Sequence, residues 1–254
     1  MILAVDIGNT QIVIGCIDDK KTYFIERMST NPGGTELEYA IGFKTVLEVY
    51  GISKEDITGA IISSVVPQIV DRIKQAIQKT TGVTPLIVGP GVKTGLNILL
   101  DNPKQLGSDL VVAAVAGIKE YGYPLLIIDM GTATTISVID DKSNYIGGAI
   151  IPGVGISLKA LAQNTAQLPS VSLDAPRRFV GRNTEESMKS GIIYGNACCI
   201  DGMIDRIEAE LGYKTRVIAT GGYAQGITKY CTHTMTVDDA LLLKGLKVIY
   251  DKNL

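Results

Sequence analysis

The chain carries the same short pattern twice, at residues 3–14 and 126–138. Each copy consists of an apolar stretch, an Asp-x-Gly sequence and a β-branched stretch, which predicts a β-hairpin with a carboxylate at its tight turn. The aligned positions lie 123 residues apart: Asp6 with Asp129, Gly8 with Gly131, and Asp18 with Asp141. Two such hairpins facing each other would form a cleft that suits the phosphates of a nucleotide and a cation.

Length and composition are those of a two-domain enzyme. The chain has 254 residues, of which 46% are apolar and 20% are charged, enough for two cores of ordinary size. A net charge of −2 argues against a nucleic-acid partner, which needs a basic surface. No apolar run approaches the roughly 20 residues that span a bilayer, so no membrane association is expected and the predicted location is the cytoplasm.

Cysteine and histidine are too sparse for a zinc centre or a histidine base. The four cysteines form no C-x-x-C pair, and His233 is the single histidine. We therefore expect reduced, structural thiols and a surface or hydrogen-bonded histidine.

Strands and helices alternate in both halves of the chain. The apolar periodicity predicts helices over 35–50 and 108–121, a long helix from about Glu185 and a final helix over 237–250. The fold class is therefore α/β, with mixed sheets flanked by helices in two related lobes. We place the N-terminal lobe at residues 1–115 and the C-terminal lobe at 116–254.

The motif that begins at Asp6 predicts a phosphate site. Its turn would present backbone N–H groups and the Thr10 hydroxyl to a triphosphate, while Asp6 would hold Mg²⁺ directly or through water. The same residue types also form ordinary hairpin turns. The repetition at Asp129 favours the ligand interpretation, because two carboxylates at the ends of buried strands are costly unless they bind something. No G-x-x-x-x-G-K-[ST] sequence is present, which excludes a P-loop enzyme.

A second motif, Gly107-Ser108-Asp109, stands at the predicted start of a helix. Ser108 can cap that helix, and Gly107 leaves room for a ligand near the Asp109 carboxylate. The alternative is that Asp109 only compensates the helix dipole.

Together these motifs resemble the type III pantothenate kinases, a family with the duplicated ribonuclease H-like fold of actin-like ATPases. The resemblance covers nearly the whole chain. Its ordered motifs are Asp6–Thr10, Ile62–Pro67, Gly107–Asp109, Asp129–Thr135, Gly147–Gly153, Thr165–Pro169, Gly181–Thr184 and Gly221-Gly222.

The resemblance implies an ATP-dependent transfer of phosphate to pantothenate in a homodimer, the first step towards coenzyme A. It makes Asp109 the base and Asp129 the ligand of a monovalent cation, K⁺ or NH₄⁺. The residues implied for ATP are Asp6, Ile7, Gly8, Asn9, Thr10, Gln11, Ile12, Val13 and Thr132. Those implied for pantothenate are Leu100, Gly107, Ser108, Asp109, Leu110 and Thr184.

Two positions depart from the family pattern. Leu110 stands where the family has an arginine, and Leu100 stands where it usually has an aromatic residue. The missing guanidinium would have offered the pantothenate carboxylate a charge-assisted bond, commonly worth about 1.5–3 kcal/mol. Arg177, Arg178 or Arg182 could offset that loss. Two alternatives therefore stay open: a weak or inactive sibling with a regulatory role, similar to the Bvg accessory factor group, and a kinase for another small hydroxylated substrate.

Overall fold

The computed structural model describes residues 1–165 and 168–254. Ala166 and Gln167, in the middle of the 165–169 motif, lie outside the described residues. The chain divides into two compact units. Unit 1 comprises Met1–Asn97, Asp101–Glu120 and Ala240–Leu254, and unit 2 comprises Ile98–Leu100 and Tyr121–Asp239.

The described residues form eleven strands and seven α-helices. The strands are β1 (Ile2–Ile7), β2 (Gln11–Ile17), β3 (Thr22–Ser29), β4 (Gly59–Ser64), β5 (Leu86–Ile87), β6 (Asn97–Ile98), β7 (Leu125–Met130), β8 (Ala133–Ile139), β9 (Asn144–Pro152), β10 (Arg216–Thr220) and β11 (Thr236–Val237). The helices are α1 (Glu36–Val49), α2 (Pro67–Thr81), α3 (Ser108–Tyr121), α4 (Val154–Gln163), α5 (Thr184–Leu211), α6 (Ala224–Thr228) and α7 (Leu241–Asp251).

The two sheets share one topology, which confirms the predicted duplication. The first sheet has the strand order β3-β2-β1-β4-β5. The second has the corresponding order β9-β8-β7-β10-β11, and it carries one more strand, β6, beside β9. In each, the central strand pairs antiparallel with the strand that follows it and parallel with a later strand. The mixed α/β class predicted from the sequence is therefore confirmed.

The central strands are apolar because both of their faces are covered. All six residues of β1 are buried, and their neighbours include Ile12, Phe43 and Ile73 of the unit 1 core. Unit 2 has its own core, in which Leu126 and Ile128 of β7 pack with Ile200 and Ile204 of α5. Such continuous apolar runs are typical of strands buried on both sides.

Local sequence signals set the helix ends. Thr35 caps α1 in a capping box with Glu38, Pro67 is the first residue of α2, and Gly82 ends that helix in the left-handed conformation at φ 77°. Asn183 accepts a hydrogen bond from the N–H of Glu186 at the start of α5. In the described part of the chain, no helix is long and apolar enough to cross a membrane.

The turn of the second hairpin is one residue shorter than that of the first. The N–H of Gly8 donates to the carbonyl of Gln11, whereas the N–H of Gly131 donates to that of Ala133, both at 3.0 Å. The alignment therefore loses one position after the turn, since Ile2 pairs with Ile17 but Leu125 pairs with Ile139.

This deletion corrects the predicted match of Asp18 with Asp141. Asp18 Oδ1 accepts hydrogen bonds from the backbone N–H groups of Lys20 and Lys21. In the second hairpin Asp140 has that role, because its Oδ1 accepts from the N–H groups of Lys142 and Asn144. Asp140, one position before Asp141, is the counterpart of Asp18.

The last helix returns to unit 1. Leu243 of α7 covers Gly15, Gly245 lies against the backbone of Val112, and Tyr250 covers Gly59, in each case so closely that a Cβ on the glycine would collide. Residues 240–254 therefore belong with the N-terminal part of the chain, which the division at residue 115 does not anticipate. The final helix also begins later than expected, at Leu241, because Val237 lies in β11.

The single histidine is hydrogen-bonded, as expected: His233 Nε2 lies 2.9 Å from Asp205 Oδ1. All four cysteines are free thiols, of which Cys16 is buried while Cys198 and Cys199 are exposed. Burial of Cys16 agrees with the expected structural role, whereas the exposure of Cys198 and Cys199 does not.

Candidate active site

The turn after β1 is polar, exposed and held rigid by the end of β3. The side chains of Asn9, Thr10 and Gln11 are exposed. Thr30 donates its N–H to the Thr10 carbonyl at 3.0 Å and its Oγ1 hydrogen to the Gly8 carbonyl at 2.6 Å. The turn thus offers hydroxyl, amide and backbone groups in a fixed arrangement, which suits an anionic ligand.

Asp6 lies two residues before Gly8, at the carboxyl end of β1. Its side chain is only 6% exposed, and on the neighbouring parallel strand its register partner is Ser63, which is fully buried. A carboxylate at this position can serve as an oxygen ligand of a divalent cation.

The Asp129 carboxylate of unit 2 lies beside two glycines. A Cβ on Gly221 would lie 2.5 Å from Asp129 Oδ1 and 2.7 Å from the backbone N of Met130, and Gly221 itself has φ 93°. A Cβ on Gly131 would lie 3.5 Å from the same oxygen. Gly221 is therefore required twice, by its conformation and by the close approach of Asp129.

A threonine hydroxyl shares the face of the sheet with Asp129. Thr135 is directly opposite Asp129 in the β7–β8 pair, and opposite residues point to the same side of a sheet. The Oγ1 atoms of Thr134 and Thr135 are both buried with no hydrogen-bond partner among the described residues. Because successive side chains alternate, Thr134 points to the other face. The Thr135 oxygen, which has no hydrogen-bond partner in the described parts of the chain, and the neighbouring carboxylate are oxygen ligands of the kind that a monovalent cation accepts.

The start of α3 is tied to the end of β4 through one side chain. Ser108 Oγ accepts hydrogen bonds from Ser63 Oγ at 3.0 Å and from the N–H of Ser64 at 3.1 Å, and it donates to the Ser64 carbonyl at 2.9 Å. Ser108 is the first residue of α3. The predicted N-cap role of Ser108 is therefore wrong, because its hydroxyl bonds β4 and not the first turn of its own helix.

Asp109 follows Ser108, and the surroundings of its carboxylate affect its pKa. Its Oδ1 accepts a hydrogen bond from the N–H of Leu110 at 2.9 Å, yet burial raises the pKa of Asp109 above its ordinary value. A Cβ on Gly107 would collide with Asp109 Oδ1, so only glycine at 107 leaves the carboxylate in this place. A half-buried carboxylate with a raised pKa is a candidate proton acceptor.

Among the residues of unit 1 implied for ATP, Ile7 and Ile12 are fully buried and Val13 is half-buried. Leu100, Thr132 and Thr184 belong to unit 2. Leu100 is half-buried. The residue before it is bonded to β9, because the N–H of Leu99 donates to the Tyr145 carbonyl at 2.9 Å. Thr132 lies in the shorter turn, and a Cβ on Gly153 would collide with its carbonyl. Thr184 is exposed as the first residue of α5.

Known proteins that are similar in sequence to this chain belong to the family that its motifs resemble. The profile of the family described as type III pantothenate kinase matches residues 2–206. A protein of Halalkalibacterium halodurans, named type III pantothenate kinase, is 44% identical over 253 residues that cover 100% of both chains.

This chain belongs to the type III pantothenate kinase family.

Solved structures with low sequence identity share the fold of this family member. A putative Baf family transcriptional activator from Campylobacter jejuni has a TM-score of 0.59 at 21% identity and covers 99% of this chain and 98% of its own. A putative 2-dehydro-3-deoxygalactonokinase from Sinorhizobium meliloti has a TM-score of 0.57 at 11% identity, with 98% and 96% covered. At such identities the likeness concerns the fold alone.

The three arginines that could replace the family's arginine lie in the segment before α5, and a hydrogen bond joins this segment to that helix. Arg177, Arg178 and Arg182 are exposed. The N–H of Arg177 donates to Glu186 Oε2 at 2.8 Å. Nearby, the buried Lys189 ammonium lies 2.9 Å from Asp174 Oδ2 and 2.8 Å from Glu185 Oε1.

Two groups of residues lie in the motifs but received no functional role from the sequence. Ser63 and Ser64 stand at the end of a predicted strand, a position at which ligands and helix starts meet in α/β folds. Thr135 is the last residue of the Asp129–Thr135 motif, and only the strand register shows that it lies opposite Asp129. A groove of about 510 Å³ on α1 and α2, lined among others by Leu37 and Ile41, includes none of the predicted site residues.

Proposed function

We propose that this member of the type III pantothenate kinase family transfers the γ-phosphate of ATP to the primary hydroxyl of pantothenate. The product is 4′-phosphopantothenate, and the reaction is the first step of coenzyme A biosynthesis. Family membership supports the reaction, and the half-buried Asp109 at the start of α3, with its raised pKa, is the observation that carries the mechanism.

Asp109 accepts the proton of the substrate hydroxyl. The hydroxyl oxygen then forms its bond to the γ-phosphorus while the bond from that phosphorus to the β,γ-bridging oxygen breaks, and ADP leaves. Phosphoryl transfer asks the protein mainly for positioning and charge neutralisation. A raised pKa makes Asp109 a better proton acceptor than an ordinary carboxylate, provided that it is ionised at the working pH.

The hairpin segment from Asp6 to Val13 binds the phosphates, and the family resemblance makes Thr132 an ATP contact as well. The exposed turn that Thr30 holds rigid supports this assignment. Asp6 holds Mg²⁺ directly or through water, as its buried oxygens favour. When bound, Mg²⁺ neutralises charge that develops on the phosphates.

Asp129 binds a monovalent cation, K⁺ or NH₄⁺. The support is chemical: a carboxylate and the buried Thr135 hydroxyl lie on the same face of the sheet. Oxygen ligands of this kind suit cations that lose water easily.

Pantothenate contacts residues 107–110, Leu100 and Thr184. Leu110 cannot pair with the substrate carboxylate, which therefore stays partly hydrated and binds more weakly than it would beside an arginine at this position. An alternative follows from the same leucine: a substrate that has no carboxylate, or no turnover at all in a regulatory sibling.

A homodimer formed through α5 completes the proposal. Gly191, Gly195, Cys198 and Cys199 form an exposed stripe of small residues along this helix, and no described atom outside the helix lies within 4 Å of a Cβ placed on either glycine. Glycine inside a helix costs about 1 kcal/mol relative to alanine. Close packing against the same helix of a second copy, across a two-fold axis, would offset that cost.

The test is a coupled assay of ADP release with pantothenate, pantetheine and a panel of sugars as acceptors. Turnover with pantothenate is the expected result. Turnover with pantetheine alone would indicate an acceptor without the carboxylate, and ATP binding without turnover on any acceptor would favour the regulatory sibling.

A further inference from the structure

The Ser108 hydroxyl has no hydrogen-bonding capacity left for a ligand. A serine hydroxyl has one hydrogen to donate and two lone pairs that accept. Ser108 Oγ uses all three, with Ser63 Oγ, the Ser64 N–H and the Ser64 carbonyl. Its partners all belong to β4, so this oxygen joins the strand end to the helix start.

Of these partners, Ser63 contributes through its side chain. Its hydroxyl is fully buried and donates to Ser108 Oγ at 3.0 Å. In the strand register Ser63 stands beside Asp6, and neighbouring residues in register share a face of the sheet. A backbone hydrogen bond also joins the ends of these two strands, because the N–H of Val65 donates to the Ile7 carbonyl at 3.0 Å. Hydrogen bonds thus connect the ends of β1 and β4 with the first turn of α3.

We propose that Ser63 is a positioning residue for phosphoryl transfer, which holds Asp109 in place through Ser108. The proposal rests on the proposed role of Asp109 as base. Asp109 is the next residue after Ser108, so a shift of the first turn of α3 moves its carboxylate directly. Small errors in the placement of a catalytic group are costly, because the reacting atoms must lie within near-contact distance.

The geometry leaves little freedom for this turn once the three bonds are made. The N–H of Val111 donates to the Gly107 carbonyl at 3.1 Å, and Val65 Cγ1 lies 3.8 Å from the position of a Cβ on Gly107. Loss of the Ser63 donor leaves one lone pair of the part-buried Ser108 Oγ unpaired, and the turn can relax to satisfy it.

The test is the kinetics of Ser63→Ala. We expect kcat with pantothenate to fall about tenfold, with KM for ATP changed less than twofold, since the substitution displaces the base and not the nucleotide turn. Ser63→Cys has nearly the same shape and a weaker donor, and should give an intermediate kcat. The cysteine variant also provides the comparison if the alanine variant does not fold.

Two controls separate positioning from a general loss of stability. Ser137 is a buried serine of unit 2 whose hydroxyl lies 3.1 Å from the Tyr145 hydroxyl, so Ser137→Ala removes a comparable bond elsewhere and should leave kcat unchanged. In a double-mutant cycle, Ser63→Ala should add little to Ser108→Ala, because both remove the same connection. Additive losses of kcat, or a wild-type kcat for Ser63→Ala, would overturn the proposal.

A measurement that needs no substrate tests this hydrogen-bonded connection independently of the proposed function. Hydrogen exchange at the Ser64 and Val111 amides should be faster in Ser63→Ala than in wild type, and unchanged in Ser137→Ala. If no acceptor is phosphorylated, the kinase proposal fails while exchange still tests the connection. If Asp109→Asn keeps wild-type turnover, the role of Asp109 as base fails, and with it the positioning role of Ser63.

Discussion

The N–H of Leu110 donates a 2.9 Å hydrogen bond to Oδ1 of Asp109, the carboxylate that precedes it on α3. That bond stabilises the ionised form of Asp109, whereas burial opposes ionisation and has the larger effect, so the pKa of Asp109 is raised. The group therefore combines a fixed orientation with a basicity above that of an exposed aspartate.

We expect Asp109→Asn to lower kcat by about two to four decades, with ATP binding nearly unchanged. The amide keeps the size of the side chain and an oxygen that can accept from Leu110, but it cannot take a proton. Steady-state kinetics and nucleotide titration measure the two quantities. Asp71→Asn, at an exposed site on α2, is the matched control. Turnover within threefold of wild type would remove Asp109 from the role of base.

The same variant should be more stable than wild type at neutral pH. Burial raises the pKa of Asp109 in the folded state above its unfolded value near 3.8. The folded protein therefore binds this proton more tightly, and its free energy of unfolding falls as pH rises through the folded pKa. The amide in the Asp109→Asn variant cannot ionise, so the variant avoids that loss.

Urea unfolding of wild type and Asp109→Asn at pH 4 and pH 7.5 measures this difference. The advantage of the variant should be larger at pH 7.5. An advantage that is equal at both pH values, or a variant less stable than wild type at pH 7.5, would show that burial does not penalise the charge. Gain of stability with loss of turnover is a common trade at active sites.

Local patterns in the sequence predicted much of this site, and contacts distant in sequence were missed. The two Asp-x-Gly turns are complete within a dozen residues, so their repetition is visible directly. The deletion that matches Asp18 with Asp140 is hidden, because a threonine-rich turn looks alike with one residue more or fewer. Only the strand register shows it.

The return of α7 to unit 1 depends on a contact between Leu243 and Gly15, residues that are far apart in the chain. The role of Ser108 was mistaken for a similar reason. A serine before a helix favours an N-cap, and nothing in the sequence indicates that its oxygen is already occupied by the end of β4.

Activity should depend on K⁺ or NH₄⁺ in addition to Mg²⁺, and Asp129→Asn should remove that dependence with most of the activity. Thr135→Val, which removes the hydroxyl on the same face, should raise the K⁺ concentration for half-maximal rate about tenfold. Thr134→Val is the matched control, because its hydroxyl is equally unpartnered but points to the opposite face. Equal rates in sodium and potassium buffers would contradict the cation site.

The exposed stripe of small residues on α5 predicts a dimer that one large side chain disrupts. Gly195→Arg should shift the protein from dimer to monomer in sedimentation velocity at micromolar concentration, since the charged side chain cannot pack against a second helix. Gly226→Arg, at another exposed helical glycine with no described atom outside its helix within 4 Å of its Cβ position, should leave the dimer intact. A monomeric wild type, or a dimeric Gly195→Arg, would place the interface elsewhere.

Leu110 distinguishes a working pantothenate kinase from a sibling that has lost the reaction. Without a guanidinium at this position, the substrate carboxylate stays partly hydrated, so the penalty falls on binding more than on chemistry. We therefore expect a raised KM for pantothenate with appreciable kcat. Leu110→Arg should lower that KM about tenfold, which corresponds to roughly 1.4 kcal/mol.

Leu110→Lys and Leu110→Met separate the sources of that gain. Lysine supplies charge without the planar fork of arginine and should recover only part of it, whereas methionine should recover none. If wild type already has a low KM, an arginine of the 177–182 segment holds the carboxylate, and Arg177→Ala, Arg178→Ala or Arg182→Ala will raise it. If wild type and Leu110→Arg both bind ATP without turnover, the missing guanidinium is not the cause and the regulatory sibling is the better description.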